Sequence, residues 1–328
     1  MNSVAIIGEH PAFRLVLELA RKAAPADSTV LIAGETGTGK KLLARYIHDQ
    51  SRRATRPLIA VNCGAMSPEL LESDLFGHAD RDPHQSRFRA ADGGTVLLDQ
   101  VDELPSLVQA RLQAFLQHRE IRAVGSVEAT TVDIRLIAVA SRDIAQLVEE
   151  GRFRRDLYYQ LKVLSLRIPP LRERRSDIPF LAQYFLDAHN RLREPQSPYR
   201  LSGEAMTQLW QYDWPGNVRE LQSAIEQSVV FSRADLIDVP DLPPEIRAFH
   251  PSRNAPMPTI GADGIDFDSL VAEFEAKLID EALRRTKGNK QAAAQLLGLK
   301  RTTLVAKLRR RSAEAAESDI PVGGRSWD

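Results

Sequence analysis

The sequence predicts an α/β domain on a parallel sheet, followed by a small all-α domain and a C-terminal helix-turn-helix. Three observations carry this. Short β-rich runs alternate with helical patterns through residues 1–170; the periodicity turns wholly helical from 171; and a basic, glycine-interrupted helical pair closes the chain.

The β-rich runs are "STVLIAG", "PLIAVNC", "GGTVLLD", "DIRLIAVAS" and "KVLSLRIPP". Strands separated by helices imply parallel pairing beneath covering helices. Residues 171–246, opening with "PLRERRSDIPFLAQYFLDAHNRL", read as an α-helical subdomain. "RAFHPSRNAPMPTIGADG" is rich in Pro, Gly and small polar residues, so 247–265 read as a linker. Residues 266–312 are helical again, and 313–328 read as a flexible tail. No internal repeat is visible.

The chain has 328 residues and is 43% hydrophobic, enough for two or three domains with a sizeable core. Lys+Arg and Asp+Glu are 44 each, so the distribution of charge matters more than its sum. The single cysteine, Cys63, excludes an internal disulfide framework and a multi-cysteine zinc site, and in "LIAVNCGAM" it reads as a buried small side chain. No apolar run approaches the roughly 18 residues of a membrane span. "MNSVAIIGEHPAF" lacks a charged start followed by a long apolar core, so a cytoplasmic protein with no membrane partner is expected.

"GETGTGKK" sets Gly34, Gly37 and Gly39 before Lys40, with Glu35, Thr36 and Thr38 between them and Lys41 after. In such a loop, backbone N–H groups curl around phosphate oxygens and the lysine reaches the terminal phosphates. An apolar strand precedes it, and "KKLLARYIHDQS" follows with Leu42, Leu43, Tyr46 and Ile47 at helical spacing. Lys41 stands where many such loops carry the Ser/Thr that ligates magnesium.

In "NKQAAAQLLGLKRTTLVAKLRRR", a helix with an apolar face of Ala292, Ala293, Leu296 and Leu297 is followed by a turn at Gly298 and a second helix opened by Lys300, Arg301 and Thr302. That spacing suits insertion of the second helix into the major groove. Every charged residue from Arg284 to Arg311 is basic, as phosphate-backbone contact requires. The expected double-stranded DNA contacts are Lys300, Arg301, Thr302, Thr303, Lys307, Arg309 and Arg310. Of these, Arg301, Thr302 and Thr303 would read bases, and Lys307, Arg309 and Arg310 would meet phosphates.

Taken together with "VNCGAM", "LLESDLFGH", "ADGGTVLLD", "GRFRRDLYYQL", "PPLRERRSDIPFLA" and "WPGNVRELQSAIE", these strings resemble bacterial enhancer-binding proteins of the NtrC type. That family joins an AAA+ ATPase and its helical lid to a Fis-type helix-turn-helix and remodels sigma-54 RNA polymerase. "GLKRTTLVAKLRR" is similar to the DNA-binding end of FleQ-like flagellar regulators. The resemblance runs from about Ile7 to Arg311 and starts with the AAA+ pattern, so no receiver or sensor domain is expected ahead of it. It implies ATP or ADP as ligand, held by Gly34 to Lys41, Asp99, Arg154 and Arg219, with Mg²⁺ oriented by Asp99 through water. It also implies a dimer or ring of copies, and RNA polymerase as a possible partner.

Four departures from the family stand out. The GAFTGA loop that touches sigma-54 is replaced by "ADRDPHQS", which argues against a sigma-54 contact. Gln100 follows Asp99 where the family has the glutamate that polarises water; an amide holds water but accepts no proton. Ser141 stands in place of the sensor asparagine, and Gln160 in place of an arginine that reaches the neighbouring subunit's γ-phosphate. With Gln100, Ser141 and Gln160 degenerate, no catalytic residue is assigned. The expected protein is then a DNA-binding regulator whose AAA+ domain binds nucleotide for assembly, a degenerate ATPase with weak or no hydrolysis and no sigma-54 remodelling. The alternatives are an active sigma-54-dependent activator ATPase and a cyclic di-GMP-responsive regulator, for which Arg45 is the only supporting residue.

Overall fold

The computed structural model describes residues 6–79, 86–191, 198–232 and 234–249, together with 279, 282, 285, 286, 289–299, 301–304, 307 and 308. It divides into two units, Met1–Asn254 and Ala255–Asp328.

The first unit opens with α1 (Pro11–Ala23), β1 (Val30–Ala33), α2 (Lys40–Asp49), β2 (Leu58–Asn62), α3 (Pro68–Phe76), α4 (Arg87–Ala90) and β3 (Thr95–Asp99). There follow α5 (Ser106–His118), the hairpin strands β4 (Glu120–Arg122) and β5 (Ala129–Thr131), then β6 (Arg135–Ala140), α6 (Ile144–Glu149), α7 (Arg155–Leu161) and β7 (Leu164–Arg167). The main sheet is parallel throughout, in the order β2-β3-β6-β1-β7. All five strands fall within the five apolar runs of the sequence. The β4–β5 pair, with mostly exposed residues, has no apolar signature to announce it.

Because side chains alternate across a strand, the apolar runs feed two cores at once. Val30, Ile32, Leu97, Ile137 and Val139 pack with α1 and α2. Leu31, Val96, Leu98, Leu136 and Ala138 pack with α3, α5 and α7 on the other face. Arg135 is buried and donates to Ala24 O at 2.7 Å and Ala23 O at 2.8 Å. Its charge thus meets carbonyls at the C-terminal end of α1, the negative end of the helix dipole.

The helical part of this unit comprises α8 (Ile178–Asn190), α9 (Gly203–Gln211), α10 (Asn217–Phe231) and α11 (Pro244–Arg247), with a two-residue parallel pairing of Arg200–Leu201 and Leu236–Ile237. Its core is centred on Trp214, fully buried, whose indole N–H donates to Leu209 O at 2.8 Å.

In the second unit, Asn289 caps a helix over Lys290–Leu296 by accepting from Gln291 N and Ala292 N. Gly298 turns the chain at φ 66°, a conformation glycine adopts without a Cβ penalty, and residues 301–304 are helical again. The apolar face differs from the expected one. Ala293 and Ala294 are buried with Ile279, Ala282 and Leu304, and Leu297 packs against them, whereas Leu296 is 60% exposed. One step of helix rotation, about 100°, separates the two faces: an alanine run gives no sequence signal for which alanines point inward.

Candidate nucleotide site

The glycine loop joins β1 to α2 at the carboxyl end of the sheet, where parallel α/β folds place their ligand crevices. Gly37 lies against the helical subdomain so closely that a Cβ there would stand 2.1 Å from Gly216 O. Only glycine fits. Gly39 precedes the first turn of α2. Thr38 Oγ1 donates to Glu35 O at 2.8 Å, and Lys40 Nζ donates to Gly34 O at 2.7 Å and Glu35 O at 2.8 Å. Burial pushes the Lys40 ammonium below its ordinary pKa, against the pull of Asp99 and Asp102.

The helical subdomain reaches this loop at four points. Arg172 pairs with Glu35; Arg174 Nη2 donates to Thr38 O at 3.0 Å; Asn217 Nδ2 donates to Thr36 O at 3.0 Å; and Arg219 N donates to Gly37 O at 3.3 Å. A loop of this composition is conformationally costly to order. These contacts fix it.

A cleft of about 410 Å³ is lined by Thr36, Gly37, Gly39, Lys40 and Lys41 from the loop, Asp99, Gln100 and Ser141 from strand ends, and Arg219 from α10. A second cavity of about 400 Å³ adjoins it between α2 and α8, lined by Ile7, Phe13, Leu42, Leu43, Leu181 and Phe185 among others. Its apolar walls suit a flat ring, and sequence reasoning did not single it out because its residues read as ordinary core positions.

Asp99 closes β3, and Lys41 Nζ lies 2.6 Å from its Oδ2. Gln100 follows at φ 58°, opening a short 3₁₀ turn over Val101–Glu103. Asp102, unnoticed in the sequence, is buried and accepts from Ser141 N at 3.1 Å and Arg142 N at 3.2 Å. It therefore fixes the turn that carries Ser141. Its neighbour Glu103 pairs with Arg142.

Arg154 and Gln160 do not line this cleft. Arg154 precedes α7 and pairs with Asp156 at 2.7 Å. Gln160 Oε1 is buried on α7 with no hydrogen-bond partner among the described residues. Arg45 is exposed on α2 and outside the cleft. Cys63 is 2% exposed, and burial pushes its thiol up to about 12, in keeping with a packing role.

Among the described residues, no three His, Cys, Asp or Glu side chains converge as a metal cage would require, and no helix is long and apolar enough to cross a membrane. In the second unit, Arg301, Thr302 and Thr303 are exposed at the start of the second helix and Lys307 is half-buried. Lys300, Arg309 and Arg310 lie outside the described residues, as do positions 80–85 of the segment that replaces the GAFTGA loop.

Comparison with known proteins agrees with this architecture. Residues 6–167 match the sigma-54 interaction domain, 172–258 the AAA+ ATPase lid domain, and 270–310 the Fis family of bacterial regulatory proteins. The transcriptional regulatory protein ZraR of Klebsiella oxytoca is 45% identical over 312 residues, covering 93% of this chain and 68% of its own. The transcriptional regulatory protein FlbD of Caulobacter vibrioides is 40% identical over 330 residues, covering 96% and 72%. The crystal structure of NtrX from Brucella abortus in complex with ATP superposes with a TM-score of 0.69 at 28% identity, covering 94% of this chain and 69% of that one; its complex with ADP gives 0.68 at 29%, covering 93% and 68%.

These matches correct one expectation. A regulator that merely holds nucleotide and dispenses with sigma-54 does not fit a chain whose α/β domain matches the sigma-54 interaction domain from residue 6 to 167 and whose similarity to ZraR extends over 93% of its length. The physical reason lies in scale. Gln100, Ser141 and Gln160 change the chemistry of single side chains, while the cradle, the lid and the strand-end carboxylate that define the domain are all in place. The chain belongs to the family of bacterial transcription regulators that join a sigma-54 interaction AAA+ domain, with its lid, to a Fis-type helix-turn-helix.

Proposed function

We propose that this protein is a sigma-54-dependent transcriptional activator that binds and hydrolyses ATP in the cleft beneath its lid and binds double-stranded DNA through its C-terminal module. The observation that carries this is the convergence of Lys40, Asp99, Ser141 and Arg219 on one cleft beside an apolar cavity. The N–H groups of the loop and Lys40 meet the phosphates, Arg219 adds a second cation from the lid side, and the apolar cavity takes the base. The NtrX structures with ATP and ADP support the choice of adenine nucleotides.

Gln100 is the residue nearest in sequence to Asp99 that can orient a water, by hydrogen bonding through its amide. Without a proton acceptor at that position, turnover lacks the factor of about 10²–10⁴ that general-base assistance supplies. Hydrolysis is therefore slow for the fold. Magnesium does not fit the protein's own oxygen donors as they stand: position 41 offers no oxygen, and the Asp99 carboxylate is already paired with an ammonium. One helix-turn-helix reads one half-site, so DNA recognition requires at least two copies, through pairing of the C-terminal modules or assembly of the AAA+ domains.

Transcription from a promoter bound by this protein, measured with purified polymerase, tests the proposal. Activity that requires sigma-54 and ATP is the expected result. Equal transcription with another sigma factor, or without nucleotide, overturns it.

A further inference from the structure

Lys41 is the second residue of α2, and its ammonium crosses the mouth of the cleft to Asp99 Oδ2 at 2.6 Å. Asp99 ends β3, two strands away from β1 in the sheet, so the pair links the first turn of α2 to that strand end across the cleft. The carboxylate is 11% exposed and the lysine side chain 59% exposed. The cation thus covers a nearly buried anion from the solvent side, on the face that opens to the cleft.

A divalent cation needs oxygen ligands, and a P-loop ordinarily provides one at this position with a hydroxyl. Lysine has three donors and no acceptor. The remaining carboxylates around the cleft are engaged as well: Asp102 accepts from the Ser141 and Arg142 backbone, Glu103 pairs with Arg142, and Glu35 pairs with Arg172. Lys40 feels the charge of Asp99, but its Nζ is hydrogen-bonded to Gly34 O and Glu35 O, so the direct contact to Asp99 is made by Lys41. A divalent ion placed on Asp99 would stand beside a like charge at close range, which is unfavourable at any effective dielectric.

We propose that Lys41 replaces protein-held Mg²⁺ at Asp99, so that the site binds adenine nucleotides with little dependence on a divalent cation. The ammonium neutralises Asp99 and is positioned to lend its remaining N–H donors to phosphate oxygens as a tethered point charge. Here lysine is a binding determinant, not a neutral change at a degenerate position. The inference rests on the nucleotide-binding reading of the cleft and specifies how that cleft handles charge.

The test is a fluorescence titration of the full-length protein with N-methylanthraniloyl-ATP and the corresponding ADP derivative, in millimolar Mg²⁺ and in EDTA. Wild-type affinities differing by less than about threefold between the two buffers are expected. Lys41→Glu and Lys41→Ser, both checked for folding by circular dichroism, are expected to bind about tenfold or more weakly in EDTA than in Mg²⁺. A wild-type protein that itself loses about tenfold in EDTA overturns the inference. So does a set of variants that stay insensitive to Mg²⁺, since Lys41 is then not what removes the dependence. Absence of binding by the wild type in both buffers brings down the nucleotide reading of the cleft, an outcome distinct from the other two.

Discussion

Arg172 and Glu35 form a two-pronged ion pair, with Nη1 2.7 Å from Oε2 and Nη2 2.5 Å from Oε1, which ties the first turn of the helical subdomain to the second residue of the glycine loop. Both side chains are about two-fifths exposed, so the pair is screened and its worth in stability is below about 1 kcal/mol. Its larger effect is positional: it holds in place a loop whose glycines would otherwise sample many conformations.

The hydrogen bond from Arg172 holds the Glu35 carboxyl below its ordinary pKa. A carboxyl whose folded-state pKa is depressed stabilises the fold above its ordinary value of 4.5, and that contribution is lost as pH falls through the folded-state value. Glu35→Gln should therefore lower Tm slightly at pH 7, and the gap to wild type should close as the solution is made more acidic than pH about 4. Thermal melts across that range check the sign. A gap that widened in acid would show that the pair does not stabilise the native state.

Asn217 offers a stronger perturbation. It is fully buried, sits at φ 54°, accepts from Leu171 N at 2.8 Å through Oδ1, and donates to Thr36 O through Nδ2. Asn217→Ala strands the Leu171 N–H at about 1–3 kcal/mol and adds about 1–2 kcal/mol for a left-handed residue that is neither Gly nor Asn. Asn217→Gly removes the same hydrogen bonds but tolerates the backbone, so it should lose less. Denaturant midpoints of the two variants give the difference directly; equal losses would mean that backbone conformation contributes nothing at this position.

The sheet was legible because buried parallel strands are continuous apolar runs, and each of Val30–Ala33, Leu58–Asn62, Thr95–Asp99, Arg135–Ala140 and Leu164–Arg167 interrupts a polar or helical context. The phosphate loop was legible because glycine spacing and a following lysine have few other uses. The clamp on that loop was not. Arg172, Arg174 and Asn217 lie more than a hundred residues from Glu35, Thr38 and Thr36, and no local pattern records which carbonyl a distant side chain will meet. Asp102 was passed over for the same reason, since its bonds run to Ser141 N and Arg142 N, some forty residues further along the chain. The role of Lys41 also emerged only in three dimensions, because its partner Asp99 belongs to a strand two places away.

Turnover should respond to restoring the two side chains whose chemistry is missing. Gln100→Glu supplies a proton acceptor at the end of β3, and Gln160→Arg replaces an amide whose oxygen is buried without a partner among the described residues. Each change alone should raise phosphate release. Together they should raise it by more than the larger single effect, because a water activator and a charge-stabilising arginine act in one transition state. Steady-state rates of wild type, both singles and the double variant decide this. No gain in the double variant would show that neither position limits turnover.

DNA recognition separates into two kinds of contact that one pair of substitutions can distinguish. Arg301 is exposed at the first turn of the second helix, beyond the Gly298 turn, where the side chains of a recognition helix reach base edges. An arginine there can pair bidentately with guanine, so Arg301→Ala should cost about 1–3 kcal/mol on the specific site and relax preference at one base position. Lys307 lies more than a turn further on, where a long cation meets the phosphate backbone. Lys307→Ala should weaken specific and random DNA alike and flatten the slope of log affinity against log salt by roughly one unit. Titrations of both variants against the operator and a scrambled duplex, at several salt concentrations, give the comparison. Equal weakening of operator and scrambled DNA by Arg301→Ala would mean that this helix is an electrostatic arm and that the bases are read elsewhere.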